Sequence, residues 1–381
     1  MPFIGNKPTS VPLTSSDIED GIITTTKIAD ANVTNPKLTS GSQQNFRNII
    51  INGDMSLAQR GTSFTSASGY TLDRYTWTDD STSAFTITQS TDVPSGQGFA
   101  KSMKFDCTTA NGSLGSSDQI RQVQQIEAQN LQYLKYGTSS AESLTCSFWV
   151  KSNKTGIYCV TLSQPDDSYA SNTVEYTINS ANTWEKKTAT FSGDTGGVIN
   201  NDNGAGLWLI FAFGAGSGRH MTANQWNSSY GLSTSNQVNL ADSTSNELYL
   251  TGVQLEAGTT ASDFEFLPVD VNLDRCQRYY QNSYGVGLYP ETSTGNSIAI
   301  HILSWGDGNA QGIAYYKPMR SSPTVTLRDG ATTTTGKVIS NGTQRAASAT
   351  NINNKYFSFI SVTSGTANAY TIVAWEANAE L

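Results

Sequence analysis

Charge is scarce in this chain. Only 14% of its 381 residues are Asp, Glu, Lys or Arg, and the formal net charge is −8. No stretch clusters Lys and Arg, so the electrostatic footprint of nucleic-acid binding is missing and nucleic acid is not expected as a partner. Histidine is scarcer: there are two, His220 and His301, and neither lies in a metal-ligand spacing. No Gly-x-Ser-x-Gly elbow and no phosphate loop occurs. These absences argue against an enzyme. Glycoside hydrolysis needs only two carboxylates, however, and Asp and Glu are scattered through the loops. The four cysteines, Cys107, Cys146, Cys159 and Cys276, match no zinc or redox spacing. Cys146 and Cys159 flank one predicted hairpin, which admits a bridge, but buried free thiols are the expectation. The longest apolar run, 207–215, is too short to cross a bilayer, so no membrane insertion is expected. The opening Met1-Pro2-Phe3-Ile4-Gly5-Asn6-Lys7-Pro8 has no apolar signal segment, which for a protein working outside cells implies release by lysis.

What the chain does have is turn chemistry and aromatics. It holds 33 Gly among many Ser, Thr and Asn, and 10% of it is Phe, Trp or Tyr. Polar β-formers with plentiful turn residues predict an all-β architecture with long loops. Disorder is excluded by the aromatics and the low charge. In the first forty residues, Ile18, Ile28 and Leu38 recur every ten positions in a run of Thr, Asn, Asp and Lys. One such unit cannot bury a core alone and needs a neighbour, most simply another copy of the chain around a symmetry axis. A self-associating stalk ahead of β-rich domains suggests a structural or adhesive appendage.

Composition and periodicity divide the chain. Residues 1–13, with Pro2, Pro8 and Pro12, read as an extended arm, and 14–44 as repeat stalk and linker. Residues 45–268 carry about eight short strands with turn-rich joints, the pattern of a two-sheet jelly-roll sandwich. Two hairpins are predicted there, one joining 144–150 to 156–162 and one joining 174–178 to 183–191. Leu207 to Phe213 is apolar throughout and predicts a central strand covered on both faces. Residues 269–282 predict a short helical connector with Leu273, Cys276 and Tyr280 on one face after an Asn272 cap. Residues 283–381 resume strand patterning, enough for a second, smaller distal β-sandwich.

Several segments resemble a family of bacteriophage tail-fibre proteins common in phages of marine bacteria and cyanobacteria. They are Asn48-Ile49-Ile50-Ile51-Asn52-Gly53-Asp54-Met55 with Ala58-Gln59-Arg60-Gly61, and Tyr70-Thr71-Leu72-Asp73-Arg74-Tyr75. Ser147-Phe148-Trp149-Val150-Lys151-Ser152, Thr251-Gly252-Val253-Gln254-Leu255-Glu256 and Cys276-Gln277-Arg278-Tyr279-Tyr280 follow. The Asn-Gly-Asp opening and Gly-Val-Gln-Leu-Glu closing strands also resemble the two ends of a carbohydrate-binding-module jelly roll. The stalk repeats resemble Lys-Ile-Ala-Asp units near the base of such fibres, and Tyr315-Tyr316-Lys317-Pro318-Met319-Arg320 resembles a stretch of distal fibre domains.

The resemblance implies a homotrimeric virion protein, a tail fibre made in the host cytoplasm. Its shaft would pack Ile18, Ile22, Ile28, Val33 and Leu38 against their symmetry mates. The amino-terminal arm, with Phe3 and Ile4, would dock to tail or adaptor proteins, and the sandwich would bind host-surface polysaccharide for adsorption. A head fibre or capsid decoration protein is the alternative, and a polysaccharide depolymerase the second. Sugar binding needs a flat aromatic face beside hydrogen-bonding groups. Trp226 and Tyr230, on the polar loop after Arg219, are the candidates in the sandwich, and Trp305 is the candidate in the distal domain. Trp226 has a competing reading as a lid on the core, and Trp149 and Trp208 read as core because they sit in strands. No cofactor is expected beyond a structural calcium among loop carboxylates such as Asp54 and Asp263, which no Asp-x-Asp-x-Asp loop supports.

Overall fold

The inward-facing side chains of one strand set the frame. Leu144, Cys146, Phe148 and Val150 alternate along strand Leu144–Ser152, and all four are fully buried. A strand with one buried face needs a second layer opposite. A computed structural model supplies it, describing residues 46–65, 67–284, 288–290, 300–305, 309–329, 334–340, 342–361 and 370–381. The arm and stalk residues Phe3, Ile4, Ile18, Ile22, Ile28, Val33 and Leu38 lie outside the described residues.

The strands of the first sandwich begin with β1 (Ser63–Phe64), β2 (Ser68–Tyr70), β3 (Tyr75–Asp79), β4 (Ala84–Ser90) and β5 (Ser102–Thr109). Then come β6 (Gln119–Glu127), β7 (Leu144–Ser152), β8 (Gly156–Gln164) and β9 (Ala170–Ile178). β10 (Glu185–Phe191), β11 (Ala205–Ala215), β12 (Trp226–Asn227) and β13 (Glu247–Ala257) complete it. One sheet runs β1-β4-β5-β13-β7-β10 and the other β12-β9-β8-β11-β6-β3-β2, with antiparallel pairing throughout. Between them Trp77 packs on Phe85, Phe105 and Phe213 at centroid distances of 5.2, 5.5 and 5.9 Å. The expected jelly-roll sandwich is present.

Both predicted hairpins are absent. β7 pairs with β10 and β13 in the first sheet, while β8 pairs with β9 and β11 in the second. Likewise β9 and β10 belong to opposite sheets. Each connection is an arch over the end of the core. Strands on either side of one core carry the same period-two pattern, so alternation does not reveal which sheet a strand joins. The first arch is held from the first sheet: Asn153 donates to Ser245 O at 2.6 Å and accepts from Glu247 N at 2.9 Å.

β11 is the central strand foreseen. Leu207, Leu209, Phe211 and Phe213 face the main core, while Ile210 and Ala212 lie in a second cluster with Val123, Cys159 and Leu232. The long segment between β11 and β13 covers that outer face. All four cysteines are free and buried. Burial pushes every thiol up, Cys107 and Cys159 to about 11.

Helix α1 spans Val269–Gln277. It starts after Pro268, so Asn272 is not its cap. The Asn272 side chain instead accepts from Asn52 N at 3.2 Å and donates to Asp54 Oδ1 at 3.3 Å, tying the helix to the segment 52–54, which is a turn and not the strand the sequence suggests. The distal strands are β14 (Tyr280–Asn282), β15 (Ile300–Trp305), β16 (Asn309–Tyr315) and β17 (Thr324–Arg328). β18 (Lys337–Ser340), β19 (Thr343–Thr350), β20 (Tyr356–Ser361) and β21 (Tyr370–Asn378) follow. They make an eight-stranded sheet that folds over on itself, because β18 pairs with β21 as well as β19. Phe357, Val373 and Trp375 fill its core.

After β21 the chain returns to the first sandwich. Glu380, 3% exposed at its side chain, pairs with Arg60 at 3.1 Å and with Arg74. The Arg74 guanidinium stacks 3.4 Å from the Tyr279 ring and donates to Gln125 O at 2.6 Å. Glu127 accepts from Arg278 at 2.8 and 2.6 Å and from the Tyr279 hydroxyl at 2.8 Å. Among the described residues no helix is long and apolar enough to cross a membrane.

Candidate functional site

The parity of β11 decides where its tryptophan goes. With Leu207 and Leu209 inward, Trp208 must point outward, and it lies half-buried on the outer face of the second sheet. Beside it stands Arg121 from β6, whose Cζ is 5.3 Å from the Trp208 ring centre. The turn between β8 and β9 adds a second ring. A short 3₁₀ turn, Pro165–Asp167, ends in two successive non-glycine residues in the left-handed region, Ser168 (φ 52°) and Tyr169 (φ 62°). An aromatic residue rarely holds that conformation, and such outliers cluster at functional sites. The backbone carbonyl of Tyr169 accepts from Ser163 Oγ and Ser171 Oγ, which fixes the turn. Its ring, 41% exposed, meets Trp208 edge to face at 5.2 Å.

Tyr230 supplies the third ring, 6.2 Å from Tyr169. Its hydroxyl accepts from Arg121 Nη1 at 2.6 Å and donates to Gln119 Oε1 at 2.8 Å. Burial raises the Tyr230 pKa, and Arg121 and Arg219 pull it back; Arg219 lies 5.2 Å from the ring centre. Burial lowers the Arg121 pKa, with Tyr230 and Asp80 opposing. Two donors here are buried with no protein partner, Trp208 Nε1 and Arg121 Nε. An unpaired buried donor carries a desolvation penalty of about 1–3 kcal/mol, which an incoming acceptor relieves. Three aromatic rings beside unmet donors can stack on an apolar sugar face and bond its hydroxyls.

Of the two candidates on the loop, Tyr230 enters this cluster and Trp226 does not. Trp226 sits in β12 at the sheet edge, donates from Nε1 to Ser192 O at 2.8 Å, and packs edge to face on Tyr136 at 5.9 Å. It covers the main core. Trp305 ends β15, and its side chain lies outside the described residues. Asp54 Oδ1 accepts from Asn272, while Asp263 is exposed and uses its backbone carbonyl to bind Arg47 and Gln254. Among the described residues no group of three His, Cys, Asp or Glu side chains is placed to hold a metal. Sequence reasoning missed Tyr169, Trp208 and Arg121. The parity signal for Trp208 was legible in the Leu-Trp-Leu alternation; nothing in the Pro-Asp-Asp-Ser-Tyr turn announced that Tyr169 would fold onto it.

A second aromatic surface, on the outer face of the first sheet, differs in kind. There Lys151 stands 4.2 Å from the Tyr249 ring centre, and Asp92 takes both Lys151 Nζ and Trp184 Nε1. Its polar groups satisfy one another, so it offers a ligand less.

No protein-family model matches the chain, and no curated protein matches it in sequence. Among solved structures it is similar to the enzymatically active domain of tailspike protein 4 of bacteriophage CBA120, at 14% identity and a TM-score of 0.30. That match takes in 55% of this chain and 21% of the tailspike chain. It is also similar to the CBM22-1 xylan-binding domain of Paenibacillus barcinonensis Xyn10C, at 13% identity and a TM-score of 0.24, over 54% of this chain and 100% of that one. A third similarity is to TmCBM61 in complex with β-1,4-galactotriose, at 13% identity and a TM-score of 0.26, over 55% of this chain and 99% of that one. Likenesses this distant leave the choice of ligand to the chemistry of the site.

Proposed function

We propose that this chain is a non-enzymatic virion fibre whose first sandwich binds host-surface polysaccharide through Tyr169, Trp208 and Tyr230. One observation carries the binding site. An exposed tyrosine is held in a strained conformation edge-on to an outward tryptophan, above two buried donors that have no partner. Arg121 orients Tyr230 and leaves its own Nε for an acceptor. The tail-fibre reading draws on the sequence: the decapeptide repeats with Ile18, Ile28 and Leu38, and the resemblance of residues 46–282 to phage tail fibres. In that reading 14–44 form a trimeric shaft and 1–13 dock to the tail. Three weak sites on one trimer then reach useful avidity without a tight single site.

The test is affinity electrophoresis or calorimetry of the full chain against purified host-surface polysaccharide. Tyr169→Ala and Trp208→Ala should each weaken binding at least about tenfold, equivalent to about 1.4 kcal/mol. Tyr133→Ala, which removes an exposed ring outside the cluster, should leave it unchanged. Equal binding by all four proteins would refute the site, and new reducing ends in the polysaccharide would refute a non-enzymatic role.

A further inference from the structure

Two arginines flank Tyr230. The Arg121 Cζ lies 5.4 Å from its ring centre and the Arg219 Cζ 5.2 Å. Neither has a carboxylate partner among the described residues, whereas Arg47, Arg60, Arg74, Arg278 and Arg328 each have one. In a chain of 31 acidic and 23 basic residues, a shortage of anions does not explain this. The acidic side chains on neighbouring segments are committed elsewhere. Asp80 accepts from Gln119 Nε2 at 2.6 Å, Asp118 from Gly115 N at 2.9 Å and Asp166 from Asn200 Nδ2 at 2.8 Å, while Asp167 turns toward Gly197. The second aromatic surface shows the contrast: there Lys151 pairs with Asp92, and Lys104 with Glu247 at 2.8 Å.

The open groups on these side chains are donors. Arg121 gives Nη1 to the Tyr230 hydroxyl, and its Nε, like Trp208 Nε1, is buried without an acceptor. Its Nη2 bonds to no protein atom among the described residues. Nε and Nη2 form one edge of the planar fork, the kind of edge that takes a carboxylate through two parallel bonds. Arg219 uses only Nε, on Ser117 O at 3.3 Å, which leaves both terminal nitrogens. A sugar hydroxyl can fill a donor but leaves the charge uncompensated when the ligand displaces water from it.

We propose that the polysaccharide bound at this surface is acidic, its carboxylate or sulfate groups pairing with Arg121 and Arg219 while sugar rings stack on Tyr169 and Trp208. This ligand class presupposes that the Tyr169, Trp208 and Tyr230 surface is the sugar site. Bonds between ionised partners are about twice as strong as neutral ones, so an acidic chain replaces the water of both guanidinium groups without loss. A uronate and a sulfate ester present the same anionic oxygens, and either satisfies the two arginines. The net charge of −8 does not oppose this at close range, because exposed charges more than about 8 Å away are screened at physiological salt.

The experiment is calorimetric titration of the full chain with host-surface polysaccharide in three forms: intact, carboxyl-reduced and desulfated. The parent should bind the intact polymer and lose at least about tenfold on one treatment, carboxyl reduction for a uronate and desulfation for a sulfate ester. Affinity for the intact polymer should fall at least about threefold when salt rises from about 0.05 to about 0.5 M. Arg219→Gln, on the three-residue turn Ser217–Arg219, should weaken binding of the intact polymer at least about fivefold, and Arg219→Lys, which keeps the charge, less. Its effect should shrink on the polymer stripped of acidic groups, because removing both partners of one interaction is not additive. Equal affinity for all three forms overturns the acidic class, and the sugar site then still stands if Tyr169→Ala and Trp208→Ala lose binding. Salt-sensitive binding that Arg219→Gln weakens and both aromatic variants keep upholds the charge pairing and refutes the stacking. Binding of none of the forms overturns both.

Discussion

Glu380→Gln is expected to destabilise the unit formed by residues 46–381 by about 3 kcal/mol. The carboxylate neutralises two guanidinium groups, Arg60 at 3.1 Å and Arg74, whose side chains are 11% and 1% exposed. Removing one partner of a buried pair leaves an uncompensated charge and costs about 3–5 kcal/mol. The lower end applies because each cation keeps other contacts. Arg60 retains Asp73 at 3.4 Å, and Arg74 retains Gln125 O and the Tyr279 ring. With an unfolding entropy of about 0.7 kcal/mol/K for a cooperative unit of this length, the loss corresponds to about 4 °C in Tm. Calorimetry with urea unfolding measures it. A second arm separates electrostatics from packing: Arg74→Met with Glu380→Leu should be less destabilised than either single variant, since an apolar pair can replace a buried ion pair at little cost. A Glu380→Gln chain within about 1 °C of the parent would refute the reasoning, because the carboxylate would then not compensate Arg74.

Four further outcomes are expected. Burial acts to raise the Glu127 pKa, but the Arg278 and Tyr279 hydrogen bonds outweigh it and hold the carboxyl below its usual 4.5. A depressed carboxyl contributes stability that is present above about pH 4.5 and lost as pH falls through the folded value, so Glu127→Gln should flatten urea midpoints in that acid range. Gly252 (φ +62°) makes the bulge in β13, and a Cβ there would lie 2.6 Å from Phe99; Gly252→Ala should cost at least about 1–3 kcal/mol by equilibrium unfolding. Phe213→Ala, emptying the space beside Trp77 and Phe105, should cost about 3–5 kcal/mol in the same assay. Deleting residues 1–40 should convert a trimer to a folded monomer in sedimentation velocity; a monomeric full-length chain would refute the shaft.

Much of the first sandwich was legible because its strands are amphipathic. The alternation of Leu144 to Val150 and the continuous apolar run from Leu207 to Phe213 identify strands and their buried faces. Partner choice was not legible. Ser152 to Gly156 looks like a hairpin turn, but Asn153 bonds to Ser245 and Glu247 across the sandwich edge, contacts about ninety residues away in sequence. Asn272 illustrates a second failure. A residue suited to a helix cap lies inside the helix because Pro268 starts it earlier and Asn52 and Asp54 occupy its side chain. In the candidate site, Tyr230 was identified from its loop, and Trp208 was mistaken for core although strand parity points it outward.

Sequence by itself determined the class of the protein: all-β, poor in charge, with strands whose buried faces are set by local alternation. Those properties depend on neighbours one to four residues apart. Tertiary structure alone decided which sheet each strand joins, that the carboxyl-terminal residues return to Arg60 and Arg74, and that Tyr169, Trp208 and Tyr230 meet. It alone also set Arg121 and Arg219 beside one tyrosine ring. Each of these depends on groups far apart in the chain, whose approach is set by burying a shared core, and no short-range pattern encodes that distance.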